Sequence, residues 1–431
     1  MKNKKQEKYN LTTITPVFIG SDQGSDLSKT TDFIVSGNQI KIIDQRKLET
    51  LLRDNIELIE EFVSDVKNES RSFDLKNFIE NKLNASVSEL TKTTLDVDSY
   101  LSSNSVNTFI TSNGKHFIPG STIKGAIRTS IIYNYLIYSD AGKKVVTDLL
   151  NTAQKIDSFK EKKKKLNSIY NELFLFKSEN FGHDFRHIII SDSDQIEPRD
   201  TKITELPRTY MIKDSDKTSQ WKQVLKENIT SHFTLKIEED FKDSFLSSLN
   251  SNSEETLIQF INNFSKDVID FELDMYKEFS KMKEVSKKIN EAIEFYKWLN
   301  EIIKKSNNKF AVMRIGGGKT YFDNSIGLAL YKKDKNAFKE FRKLLGFWKH
   351  RSGNKSFVEE DSPITRTYYT KEGSMLPIGW IVIYKEELPE PFIKVGTIKE
   401  ETSIKTDKKN NQESTEIDFS KLKNLGRISK L

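Results

Sequence analysis

Residues Phe117-Ile118-Pro119-Gly120-Ser121-Thr122-Ile123-Lys124-Gly125-Ala126-Ile127-Arg128 decide how this chain is read. An apolar pair runs into Pro-Gly, a turn dipeptide, and a helical step begins directly after it, with Ile123, Ile127, Ile131 and Tyr135 on one face. Ser121 or Thr122 is the expected N-cap. Lys124, Gly125 and Arg128 fall on the opposite face. A helix start offers free N–H groups and a positive dipole end, which together with Ser121 and these cations suit a phosphate. Gly125 costs the helix about 1 kcal/mol relative to Ala. Close approach of a ligand backbone would explain that cost. So would tight helix packing, with Lys124 and Arg128 as a solvated face.

A second basic glycine loop follows much later, Arg314-Ile315-Gly316-Gly317-Gly318-Lys319-Thr320-Tyr321. Consecutive glycines after a strand free the backbone to take positive φ and to turn N–H groups towards an anion. Arg314 and Lys319 add charge, and Tyr321 offers a stacking face for a base. A structural glycine turn is the competing reading. Gly318-Lys319-Thr320 copies the end of a nucleotide-binding P-loop, but that motif needs a glycine where Met313 stands, and no apolar helical stripe follows Thr320. Nucleotide hydrolysis is therefore not expected.

Between and around these loops, short strand patterns alternate with helical ones. Phe33–Val35 and Gln39–Ile43 read as a hairpin, and residues 46–67 as helix. His187–Ser191, Thr204–Ile212, Ser231–Ile237, Phe310–Ile315, Ile326–Tyr331 and Gly379–Tyr384 read as strands, and Ala337–Leu345 as a short helix. Residues 254–305 carry the longest helical periodicity and read as two helices, or one bent one, inserted in a second domain. The pattern implies an α+β protein, divided at residues 1-200, 201-396 and a polar tail, 397-431, with a docking segment.

Composition bounds the function without choosing it. In 431 residues, 69 Lys+Arg against 63 Asp+Glu leave a net charge of +6, a mild tilt towards polyanions. The absence of Cys removes thiolate metal sites and disulfides and fits a reducing cytoplasm. No stretch approaches the ~20 apolar residues of a membrane span, and no cofactor motif is present. The aspartates Asp22, Asp26 and Asp32 lie in one polar loop. Asp22 and Asp26 would be the residues of a metal-dependent ribonuclease, although solvation explains them in so charged a chain. His183 and His187 have metal-like spacing but sit in a strand-like context, so no metal site and no catalytic residue is assigned.

Three stretches carry a family resemblance. Thr15-Pro16-Val17-Phe18-Ile19-Gly20-Ser21 resembles the opening of RAMP proteins, with Phe18 where His is frequent. The Ile118–Arg128 run is similar to their "IPGSSLKGAIR" signature, and the late glycine-rich loop fits Arg314–Tyr321. Within that superfamily the chain resembles the guide 3′-end-proximal subunits of type III-A (Csm) CRISPR effector complexes. The resemblance implies two ferredoxin-like (RRM-like) domains with large helical insertions and no catalysis of the chain's own. It implies binding of CRISPR RNA at the backbone's end and support of guide 3′ maturation. The implied partners are the repeated RAMP backbone subunit, the small helical subunit and host trimming nucleases. The expected RNA contacts are Ser121, Lys124, Gly125 and Arg128 from the first loop, and Arg314, Gly316, Gly317, Gly318, Lys319 and Tyr321 from the second.

Overall fold

The computed structural model describes residues 6–21, 26–53, 55–67, 73–155, 160–161, 164–165, 168, 185–211, 216–238, 246–250, 253–282, 289–344, 365–371, 374–387 and 392. Five strands form an antiparallel sheet in the order Phe310–Arg314, Trp380–Tyr384, Glu7–Thr13, Thr230–Ile237, Ile188–Ile190. The Thr230–Ile237 strand alternates, burying Ser231, Phe233, Leu235 and Ile237, as a strand with one covered face should. Trp380–Tyr384 is buried at every position and lies inside the sheet. Its unbroken apolar run reflects cover on both faces.

The helices Gly120–Tyr138 and Ser253–Met282 pack on each other and on this sheet. Asn134 of the first donates to the Phe260 carbonyl at 2.8 Å, and Asn263 donates to the Asn134 side chain at 3.0 Å. Asn262 accepts from Val312 N–H and donates to the Phe310 carbonyl, both at 2.9 Å. One helix side chain thus satisfies the outer edge of the Phe310–Arg314 strand, where unpaired backbone groups would otherwise be costly.

The second sheet runs Ser374–Pro377, Thr365–Lys371, Thr201–Tyr210, Thr91–Val97, Gln39–Ile43, Phe33–Ser36, with Asp216–Leu225 paired to Thr201–Tyr210. Both sheets draw strands from either side of residue 200. Paired backbone bonds between Val17 and Leu225, at 3.0 and 2.9 Å, join the segment after the first strand to the second sheet. A buried ion pair, Arg366 Nε to Glu272 at 2.8 Å, ties the Ser253–Met282 helix to the same sheet.

Several sequence expectations change. The helical region 254–305 does form two helices, Ser253–Met282 and Asn290–Lys304. Both are core elements, since Ile261, Ile269, Phe295 and Leu299 are fully buried. Ile326–Tyr331, expected as strand, belongs to the helix Gly327–Lys333. A short apolar run buried on all sides does not disclose its period, and Leu328, Ala329 and Leu330 have no exposed surface. The strands Thr91–Val97, Asp216–Leu225 and Thr365–Lys371 were not anticipated, because polar residues fill their exposed positions. The tail from 397 onwards lies outside the described residues. No helix among the described residues is long and apolar enough to cross a membrane.

Candidate nucleic-acid interface

The Gly120–Tyr138 helix begins two or three residues earlier than a Ser121 or Thr122 cap would place it. Pro119 is the N-cap and makes no side-chain cap bond, which corrects the expected Ser121 or Thr122 cap. Gly120 N–H donates to Asp192 Oδ1 at 2.7 Å. A Cβ on Gly120 would stand 2.5 Å from the Ser191 carbonyl oxygen, so glycine lets the helix start press against that segment. The anion at this helix start is therefore the chain's own carboxylate.

Ile123, Ile127 and Ile131 are fully buried, while Ser121 and Gly125 are exposed and Lys124 and Arg128 are half-buried. Burial, and then the neighbouring Arg128 charge, hold the Lys124 amine below the usual lysine range. Arg128 lies over the Phe185 ring at 5.5 Å. A Cβ on Gly125 would meet nothing within 4 Å. Tight packing within the chain is thus not the reason for this glycine.

The second loop has the opposite character. A Cβ on Gly316, at φ +69°, would lie 2.2 Å from the Phe18 carbonyl oxygen, and one on Gly318, at φ +82°, would lie 2.6 Å from Ile378. Gly317 N–H donates to that same Phe18 carbonyl at 2.7 Å. Arg314 is buried. Its Nη1 meets Asp323 at 2.7 Å, its Nε donates to the Ile378 carbonyl at 2.8 Å, and its Nη2 donates to the Gly318 carbonyl at 3.1 Å. Arg314 was expected to touch RNA, as was the Gly317 amide. Both instead hold the loop to its own chain, because an inward guanidinium with three partners has no face left for a ligand.

Tyr321 packs at a tilt against Phe322, with ring centroids 4.3 Å apart, and its hydroxyl accepts from Arg342 Nη1 at 3.4 Å. Burial lifts its phenol above the ordinary value. Lys319 differs from its neighbours. It is half-buried, and no ion pair holds its ammonium among the described residues. Burial lowers its pKa against the pull of Asp323, with Arg314 adding repulsion.

These two loops, far apart in sequence, share one cavity of about 440 Å³. Ser121, Gly125 and Arg128 line it from the helix, and Gly316, Lys319 and Ser325 from the loop. Lys124 and Tyr321 stand outside its lining. Sequence reasoning found both halves but not their meeting, for which no local signal exists. It also missed Asp192, whose role depends on a strand end brought in by the sheet.

Of the residues considered for catalysis or metal binding, Asp26, Asp32 and His187 fall among the described residues. Asp26 accepts from the Asn107 amide at 2.7 Å, and Asp32 accepts from Ser28 N–H at 2.7 Å, closing its own turn. Asp22 and His183 lie outside the described residues. His187 Nδ1 is 3.2 Å from Glu238. Among the described residues no group of three His, Asp or Glu could hold a metal ion.

Two joined sheets beside a cation-bearing, glycine-lined cleft define an α+β protein whose cleft is built from both halves of its sequence. The chain belongs to the RAMP superfamily, whose family model matches residues 10–322. It is similar to the CRISPR system Cms protein Csm5 of Methanocaldococcus jannaschii, with 26% identity over 394 residues, 85% of this chain and 86% of that protein. Its fold matches a chain in the cryo-EM structure of a Csm–crRNA–target RNA ternary complex of a type III-A CRISPR-Cas system. That match has a TM-score of 0.64 at 18% identity and covers 88% of this chain and 100% of the other. The crystal structure of T. onnurineus Csm5 matches with a TM-score of 0.56 at 18% identity, covering 86% and 99%.

Proposed function

We propose that this chain is a non-catalytic RNA-binding subunit of a type III-A CRISPR complex, holding CRISPR RNA and capping the backbone at the guide 3′ end. One observation carries the reading. Two basic loops from distant parts of the chain converge on one cavity, where Arg128 and Lys319 face a glycine position left open by the protein itself. Phosphate contacts of this kind bind single strands with little regard to sequence. Ser121, Lys124, Gly125, Arg128 and Lys319 are the contacts we assign.

The scaffold is of a suitable kind. Trp380–Tyr384, Glu7–Thr13, Thr230–Ile237 and Ile188–Ile190 lie side by side in the order fourth, first, third, second of a ferredoxin-like unit. The helices Gly120–Tyr138 and Ser253–Met282 serve as its two crossovers, and the second sheet forms the other module. The similarity to a chain of a Csm–crRNA–target RNA complex supports CRISPR RNA and the other Csm subunits as partners, and with them a cytoplasmic setting.

Binding of the full chain to a single-stranded RNA, titrated against salt, tests the reading. Each lost phosphate contact lowers the slope of log K against log salt by about 0.7, so Arg128→Ala with Lys319→Ala should flatten it by about 1.4 for unrelated sequences alike. An unchanged slope refutes the assignment. For the place in the complex, native mass spectrometry should count one copy, and guides from a deletion strain should keep untrimmed 3′ ends. Several copies, or normal ends, contradict it.

A further inference from the structure

A second cavity, of about 380 Å³, is bordered by the Gly318–Tyr321 segment. Its floor is the second sheet. Register sets Arg208 opposite Thr218 on one neighbouring strand and opposite Thr367 on the other, and sets Leu206 opposite Gln220. These side chains share a face, and Lys222 continues it two residues after Gln220. Phe18, Lys319 and Ile378 close the cavity from above. The Lys222 ammonium sits 4.2 Å from the centre of the Phe18 ring.

Among the described residues no carboxylate lines this space, whereas Arg208, Lys222 and Lys319 all do. Arg366 also borders it, but Glu272 holds that guanidinium. The size falls within the roughly 300–1,000 Å³ of small-ligand sites. Apolar Phe18 and Ile378 beside the amide of Gln220 and the hydroxyls of Thr218 and Thr367 suit a flat heterocycle with polar edges. The cations suit its phosphate. Lys319 lines this cavity and the groove above alike, so a strand held in one reaches the other without leaving that ammonium.

We propose that this cavity receives one nucleotide turned out of the bound RNA, with its phosphate on Lys319 and its base between Phe18 and the face of the second sheet. The inference rests on the RNA-binding reading but adds a defined place for a single base. Burial holds the Lys222 and Lys319 amines below the ordinary lysine range, and an incoming phosphate would shift both upwards.

The test is photo-crosslinking of the full chain to a uridylate decamer carrying 4-thiouridine, followed by mass spectrometry of the peptides. Crosslinks are expected on the segments holding Phe18 and Gln220–Lys222, as well as on the Gly120–Tyr138 helix. Gln220→Trp fills the cavity from an exposed strand position and should abolish the first set while sparing the second. Affinity should fall about tenfold, the size of one lost base stack. RNA bound with crosslinks confined to the helix overturns the nucleotide pocket and leaves the RNA reading standing. A chain that retains no RNA at low salt sinks both.

Discussion

Gly125, in a helix, and Gly316, in a loop, both sit beside cations, yet the structure gives them opposite reasons to be glycine. Around Gly125 there is open space, and a Cβ there would meet nothing of the protein within 4 Å. Gly316 is pressed by its own chain, with positive φ and the Phe18 carbonyl where a Cβ would stand. The same residue type thus marks room for a ligand in one place and a sealed joint in the other. The cations follow suit. Arg128 lines the cleft, whereas Arg314 turns inward to Asp323, Ile378 and Gly318.

The largest effect expected from breaking this contrast is on stability. Arg314→Ala strands the buried Asp323 carboxylate and should cost about 3–5 kcal/mol, read as a large fall in the denaturation midpoint. A near-normal midpoint with weakened RNA binding would make Arg314 a ligand contact after all. Gly316→Ala comes next. Its added carbon meets backbone rather than a yielding side chain, so the loss should be about 2–3 kcal/mol. A midpoint within experimental error of the parent would show that the loop has room to spare. The smallest effect concerns Asp26, whose carboxylate serves Asn107. Asp26→Ala in an assembled complex should leave every RNA cleavage product in place on a sequencing gel, and the loss of a product at one position would make that loop catalytic.

Much of this could be read in the sequence wherever local chemistry sets the structure. The Ile123–Ile127–Ile131 stripe gave the helix and its buried face, and the Phe33–Ser36 and Gln39–Ile43 hairpin followed from Ser36-Gly37-Asn38, where Gly37 takes φ +60°. What could not be read depends on partners far along the chain. Asp192 caps the helix from a distant segment, and Arg314 looks like a surface cation until Asp323 is seen beside it. The strand Thr365–Lys371 hides among polar residues. Gly125 is the instructive case, because sequence stated its cost but not its cause, and only the empty space around it separates ligand room from packing.

The central claim is that the open face at Gly125 is kept for RNA, and Gly125→Leu tests it most directly. A Cβ at this position meets no protein atom within 4 Å, the position lines the cleft, and leucine is the better helix former by about 1 kcal/mol. Thermal unfolding should therefore occur at the parent temperature or slightly above it. Fluorescence anisotropy with a labelled single-stranded RNA should show affinity reduced at least about tenfold, as a blocked phosphate path requires. An equally stable variant that binds RNA as tightly as the parent would contradict the account.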